Sequence, residues 1–335
     1  MTTPVPPRLT AARELIDPVL REAVARLDPA TARAAAYHLG WSDASGRAVS
    51  TGGKALRPAL AVLSAEAAGG DAERYALAAA AVELVHAFSL LHDDIMDGDR
   101  TRRHRPAAWT VFGSSTAILT GDALLALAGE LLVEREGCVG AAHSLSTATR
   151  GLIAGQALDM EFERRHDVTL DECRRMATRK TGDLIACACS IGARTADAPP
   201  STISALAAFG AELGLAFQLT DDLLGIWGNP ETTGKPAGSD LRARKKTLPI
   251  VAALTGGTAA AGRLAALLAR PEPLSEADLL LAAELVDEAG GRAWAEKEAV
   301  RRLDAAEHHL AACDMPDHVR AEFLDIARFI TTRDR

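Results

Sequence analysis

RYALAAAAVELVHAFSLLHDDIMD, residues 74–97, decides the fold. Its apolar residues return at three- and four-residue spacing, the period of one helix face, and alanine and leucine are strong helix formers. The helix this predicts is apolar for most of its length and ends in three acids, Asp93, Asp94 and Asp97. A second segment, FQLTDDLLGIWG at 217–228, carries a second pair, Asp221 and Asp222. Each is followed by a loop of glycine, proline and basic residues. No fixed repeat period joins the two, so the chain is not a solenoid. The two helices are expected to bring acidic ends to a shared space.

Outward from these segments the chain keeps the same style. There is no series of alternating Val/Ile/Thr strands and no regular strand–helix alternation, which argues against a parallel-sheet fold. Breaks fall at STGGKALRP (50–58), at 98–106, at ADAPPS (196–201), at GNPETTGKPAGSDLRARKKTLP (228–249) and at RPEPLSEAD (270–278). The last predicts a helix start with Ser275 as N-cap and Asp278 in the first turn. None is a low-complexity linker. The expectation is an all-α fold: a flexible segment over 1–8, then one helical-bundle domain over 9–335 with roughly ten or more helices.

The chain has 335 residues, 48% of them hydrophobic and 4% aromatic, with a formal charge of −8. A field of that sign repels phosphate backbones, so a general nucleic-acid binder is not expected, although RARKK at 242–246 is a crude basic patch. No uninterrupted apolar run reaches the ~18 residues of a membrane span, and the first residues lack the basic-then-apolar order of a signal peptide. A cytoplasmic protein without a membrane span is expected. Cys138, Cys173, Cys187, Cys189 and Cys313 are odd in number and scattered, so they read as buried thiols.

On a helix with about 100° per residue, Asp93 and Asp97 stack with Asp94 at their flank, so three carboxylates are expected to face one patch. Like charges this close repel unless a cation compensates. Magnesium fits, because it takes oxygen ligands from one or two carboxylates and completes its shell with waters and substrate phosphates. A lone DDxxD is more often a solvated helix end. Here both acidic turns follow segments that belong in the core, which points to the rim of a cavity. Cations stand in the neighbouring loops: Lys54 and Arg57 in GGKALRP, Arg102 and Arg103, Lys180 in RKTG, Lys235 in TGKPAG, and Lys245 in RKKTLP. Arginine suits multidentate phosphate contact and lysine acts as a point charge. Gly52, Gly53, Gly234 and Gly238 let backbone approach a ligand.

Taken together, GGKALRP, HAFSLLHDDIMD, RRHRP, the Gly-Asp pair at 121–122, GQALD (155–159), KTGDL, FQLTDDLLG and GKPAGSDLRARKKTLP occur in an order that resembles the all-trans polyprenyl diphosphate synthases. The segments spread over residues 52–249, most of the chain. The resemblance implies an all-α bundle around a deep central cavity, assembled as a homodimer and dependent on Mg2+. It implies condensation of isopentenyl diphosphate with an allylic diphosphate, and a catalytic set of Asp93, Asp94, Asp97, Asp221, Asp222, Lys180 and Lys235. Lys54, Arg57, His86 and Arg103 would grip the diphosphate of isopentenyl diphosphate. Arg102, Lys180, Thr181, Gln218, Lys235 and Lys245 would hold the allylic diphosphate, with Asp93, Asp97 and Asp221 as metal ligands. Gln156 and Asp159 would support metal-bound water.

Ionisation of the allylic carbon–oxygen bond would leave negative charge on the diphosphate, where metal and Lys/Arg are aimed. Chain length is expected to depend on Phe88 and Ser89, five and four residues before Asp93. An aromatic at the fifth position with a small residue at the fourth resembles enzymes that stop at geranylgeranyl diphosphate. The sequence departs from the family at Gly225, where the second motif usually has a third aspartate. Two rival readings are a class I terpene cyclase on the same fold and a non-catalytic subunit. A cyclase has no second diphosphate for Lys54, Arg57 and His86 to hold, and a non-catalytic subunit would be expected to lose several of these charges.

Overall fold

A computed structural model describes residues 5–51, 53–70, 72–229 and 237–331. Among them the apolar helical period is realised almost throughout. The centre consists of α3 (Leu56–Glu66), α4 (Ala72–Met96), α9 (Asp183–Thr195) and α10 (Pro200–Trp227), packed α4 on α3, α3 on α9 and α9 on α10. Ala79, Ala80 and Ala81 of α4 are fully buried, and such small side chains let neighbouring helices approach closely. Larger residues such as Leu84 and Leu91 fill the remaining space, each contributing about 1.5–3 kcal/mol by leaving water. The helix stops at Gly98, whose φ of 68° breaks the helical path.

Around this centre α1 (Pro7–Val24), α2 (Pro29–His38) and α6 (Ser114–Val133) pack on the α4 side, with the short α5 (Ala108–Phe112) between α2 and α6. On the other side α7 (Val139–Phe162) lies on α9, and α15 (Gly291–Ala311) runs along α10. The closing helix, α16 (Asp317–Thr331), reaches α10 and α3. A satellite core is built by α11 (Ser239–Arg242), α12 (Leu248–Thr255), α13 (Ala259–Leu268) and α14 (Glu276–Glu288). Helix α14 has Ser275 as N-cap and Asp278 in its first turn, as the sequence predicts, and the two side chains close a reciprocal capping box.

Three features differ from expectation. Pro7 and Arg8 already belong to α1, and Arg8 pairs with Glu66 at 2.9 Å and with Glu322, so the helical body begins before residue 9. The 98–106 break contains a two-residue hairpin, Thr101–Arg102 against Arg105–Pro106, whose turn residues Arg103 and His104 are both left-handed at φ 51° and 60°. A mirror-image turn of this kind matches strand twist, and without glycine it is strained. Finally, Tyr75–Met96, Ser114–Val133 and Pro200–Trp227 are long and apolar enough by length and composition to cross a membrane. Their mean hydropathy does not require an unbroken apolar run, and 72% of the first window lies inside the bundle. The five cysteines are free and buried.

Candidate active site

Packed on α7 and α12 is α8 (Leu170–Ala177), which continues into α9 through a π-helical turn at Thr178–Gly182. Two glycines hold that turn. A Cβ on Gly155 of α7 would lie 2.6 Å from the Lys180 Cα, and one on Gly214 of α10 would lie 2.7 Å from the Gly182 Cα. Only hydrogen fits at both contacts. The widened turn, a form frequent at functional sites, leaves both Lys180 and Thr181 facing the same cavity.

That cavity measures about 720 Å³ and takes in both acidic turns. Asp93 lines it from α4, Asp97 from the turn just after that helix, and Asp221 and Asp222 from α10. Asp94 does not. One residue further round the helix, it is 1% exposed and accepts from Arg102 Nε at 2.8 Å, with Arg102 Nη2 also donating to it. The expectation of three acids on one patch is therefore corrected by helical phase: two face the cavity and one secures an arginine. An acid near a helix C-terminus opposes the macrodipole, and Arg102 offsets that cost. Burial opposes the Arg102 charge, but Asp94 holds its pKa above the usual value.

Burial pushes the Asp93 carboxyl up to about 6, with Lys180 pulling it down and Asp97 adding repulsion. Lys180 donates to Asp159 at 2.5 Å and Lys245 to Asp97 at 2.7 Å. Burial works against both ammonium groups, yet the neighbouring acids raise both pKa values. Deeper in, Thr181 donates to Gln218 Oε1 at 2.6 Å and Gln218 Nε2 to Asp222 at 2.7 Å. The other Asp222 oxygen accepts from the Leu248 backbone N–H at 2.9 Å and so caps α12. Burial, reinforced by Asp240, drives the Asp222 carboxyl well up, against these two donors.

A second group of lining residues is mainly cationic. Arg57 Nη1 lies 3.1 Å from His86 Nε2. Arginine can only donate, so the imidazole accepts through Nε2 and carries its proton on Nδ1. Burial and then Arg57 hold the His86 pKa well below the usual histidine range. Arg103 packs over Gly53, where a Cβ would come 2.9 Å from its guanidinium carbon. Lys54 Nζ stands 5.2 Å from the Phe329 ring centre. Gly52, Gly234 and Lys235 lie outside the described residues.

Ser89 lines the cavity one turn below Asp93. Phe88 is not among the lining residues. It is buried on the adjacent face of α4, edge-on to His92 at 4.9 Å, and His92 in turn reaches the Ile118 carbonyl at 3.0 Å. Gly121 gives His92 its space. The RARKK segment is dispersed: Arg242 pairs with Glu276, Arg244 donates to the Glu272 carbonyl, Lys245 holds Asp97, and Lys246 is buried.

Three lining residues escaped the sequence reading. Glu83 stands three residues before His86 on the cavity-facing stripe of α4, and burial raises its pKa against the pull of Arg103, Arg57 and Arg13. Its spacing from His86 was the available signal. Asp240 and Thr247 reach the cavity from the loop side, and no helical period marks them. Asp159 proves to be the partner of Lys180, and the Gln156 side chain is buried beside Met96 Sδ at 3.8 Å.

Among the described residues no three His, Cys, Asp or Glu form a ready-made metal cage. Paired carboxylates on a cavity wall still suit a hard dication that takes the rest of its shell from water and a phosphate ligand. Burial and the repulsion from Asp97, which raise Asp93, are what such an ion offsets.

The sequence profile described as polyprenyl synthetase matches residues 41–285. A (2E,6E)-farnesyl diphosphate synthase of Mycobacterium tuberculosis is 50% identical over 99% of this chain and 94% of its own. A geranylgeranyl diphosphate synthase of the same organism is 45% identical over 97% and 93%. The crystal structure of a polyprenyl synthetase from Streptomyces coelicolor A3(2) superposes with a TM-score of 0.93 at 50% identity, covering 98% of this chain and all of that one.

Proposed function

The chain belongs to the polyprenyl synthetase family and is a trans-prenyltransferase, and from that premise we propose that it condenses isopentenyl diphosphate with an allylic diphosphate to make geranylgeranyl diphosphate. The observation that carries the reading is one cavity with two separate cationic zones. Lys180 and Lys245 are paired with Asp159 and Asp97, while Arg57 lies against His86, with Lys54 and Arg103 lining the same cavity. Two anionic diphosphates need two such zones, whereas a cyclase needs one.

In this reading Asp93, Asp97 and Asp221 hold Mg2+, which supplies positive charge to the departing diphosphate. Lys180, Lys245, Arg102 and Lys235 bind that diphosphate with Thr181 and Gln218, and Asp94 and Asp222 act by positioning Arg102 and Gln218. Arg57, Arg103, Lys54 and His86 bind isopentenyl diphosphate and orient its double bond toward the allylic carbon. The apolar walls exclude water from the allylic cation. Released diphosphate takes the proton lost after carbon–carbon bond formation.

Geranylgeranyl as product rests on Ser89, which leaves the wall below Asp93 open, with Phe88 packed behind it. Farnesyl diphosphate is the second reading, favoured by the 50% identical farnesyl synthase. A homodimer is inferred from apolar side chains exposed on neighbouring helices, among them Leu119 and Val133 of α6 and Val139 and Ile153 of α7. We place the protein in the cytoplasm, where its charged substrates are dissolved. The test is incubation with Mg2+, isopentenyl diphosphate and dimethylallyl, geranyl or farnesyl diphosphate in turn, followed by identification of products. A C20 product supports the reading, a C15 end point favours the farnesyl alternative, and hydrocarbon from geranylgeranyl diphosphate alone points to the cyclase.

A further inference from the structure

Arg105 does not line the main cavity, yet its side chain ties three elements together. It stands on the second strand of the hairpin, opposite Arg102. Its Nη1 donates to Thr51 Oγ1 and its Nη2 to the Ser42 carbonyl, both at 2.7 Å, on the segment between α2 and α3. The guanidinium carbon lies 4.3 Å from the centre of the Tyr37 ring, a cation–π contact with α2. Tyr37 closes the loop, because its hydroxyl donates to the Pro106 carbonyl at 2.8 Å.

Both ends of this strap lead to groups assigned to isopentenyl diphosphate. Thr51 lines the cavity, and its N–H donates to the Gly40 carbonyl at 3.0 Å. Two residues further on, Gly53 lies beneath the Arg103 guanidinium, and Lys54 follows it. The other end holds the hairpin, whose turn residues Arg103 and His104 are left-handed without being glycine. Backbone in that region persists only where its surroundings hold it. Arg105 also shares a narrow cleft with Arg102, Arg103 and His38, so its charge is set against like charges, a cost its contacts offset.

The two neighbouring arginines are secured differently. Arg102 is held by Asp94. Arg103 is drawn by Glu83 through space and makes no ion pair among the described residues, so its place depends on the hairpin and on Gly53.

We propose that Arg105 is a positioning residue for the isopentenyl diphosphate zone: by bridging Thr51 and Ser42 to the hairpin, it fixes Arg103 and the Gly53–Lys54 segment relative to one another without touching substrate. The inference rests on the reading of that zone given under the proposed function. Its content is geometric. One planar fork reaches two acceptors while its face stacks on an aromatic ring, an arrangement that a lysine ammonium does not reproduce.

The test is steady-state kinetics on the full chain with Mg2+, each substrate varied in turn, with circular dichroism and the urea midpoint as checks on folding. Arg105→Gln is expected to raise the KM for isopentenyl diphosphate ~10-fold through the lost charged hydrogen bonds. The KM for the allylic diphosphate and kcat at saturation are expected to stay unchanged, because Arg102 keeps Asp94. Arg105→Lys retains the charge, loses the fork, and is expected to behave like Arg105→Gln. Thr51→Val removes one acceptor, is expected to raise the same KM, and carries the test if Arg105→Gln does not fold. The two changes together are expected to be less than additive. A wild-type KM in Arg105→Lys overturns the strap, and so does an additive double variant. Equal rises in both KM values, or a fall in kcat alone, overturn the positioning role. Arg103→Gln separates this inference from the reading beneath it. A raised KM for isopentenyl diphosphate there, with none in Arg105→Gln, overturns the inference alone, whereas no rise in Arg103→Gln overturns the reading of the zone and the inference with it.

Discussion

Asp93 and Asp94 are neighbours in the chain and opposites in environment, one facing the cavity and one closed off on Arg102. The contrast gives Asp93 a measurable cost. Its carboxyl is raised from 3.8 to about 6, so the folded state holds a proton that the unfolded chain has already lost across that window. Stability therefore falls as pH rises from about 4 to 6, and the full cost stands above it. In metal-free buffer at pH 7.5, Asp93→Asn should stabilise the protein by up to about 3 kcal/mol in urea unfolding, with the difference closing below pH 4. Ser89 gives the second prediction at this scale: Ser89→Phe puts a ring onto the cavity wall and should shorten the main product, read by chromatography of dephosphorylated products. Helical phase made Asp93, Asp97 and Ser89 legible in the sequence. It also gave a reason to doubt Phe88 as part of the wall, because about 100° per residue carries it well away from Asp93. Asp240 was illegible, because its meeting with Gly225, where a Cβ would stand 2.6 Å from the Asp240 Cγ, is a contact between separate elements.

Among elements, the π-helical turn is the clearest case of structure beyond sequence pattern. KTG was readable as a phosphate-binding segment, but the widened turn depends on its fit between Gly155 and Gly214. Gly155→Ala should cost about 1–3 kcal/mol through overpacking and displace Lys180 from Asp159. The expected signature is a lower urea midpoint together with a raised KM for the allylic substrate. The hairpin at 101–106 was equally hidden. Arg103 and His104 are not the glycine or asparagine that announce a mirror-image turn, so only the folded chain shows it. The Ser275 N-cap and the first-turn Asp278, by contrast, are entirely local and legible in the sequence, and the folded chain closes them into a reciprocal box.

For the molecule as a whole, the apolar period and the lack of strand patterning were enough to give an all-α bundle, because both are repeated in segment after segment. Assembly depends on what the bundle leaves outside. Leu119 is 60% exposed and Val139 76%, and burying such residues against a second copy would remove them from water. On the proposed homodimer, Leu119→Glu should shift sedimentation toward monomer while leaving the helical circular dichroism signal intact, and a wild-type chain that sediments as a monomer would overturn the dimer.

The Lys180–Asp159 and Lys245–Asp97 pairs have a consequence for the order in which ligands arrive. Both lysines have anionic companions within the protein. A bare diphosphate that claims them strands two carboxylates, whereas a diphosphate arriving with its dications lets every charge change partner at once. The protein should therefore discriminate between chelated and naked forms of the same anion, and calorimetric titration of pyrophosphate in EDTA should show far less heat than the same titration with Mg2+ present.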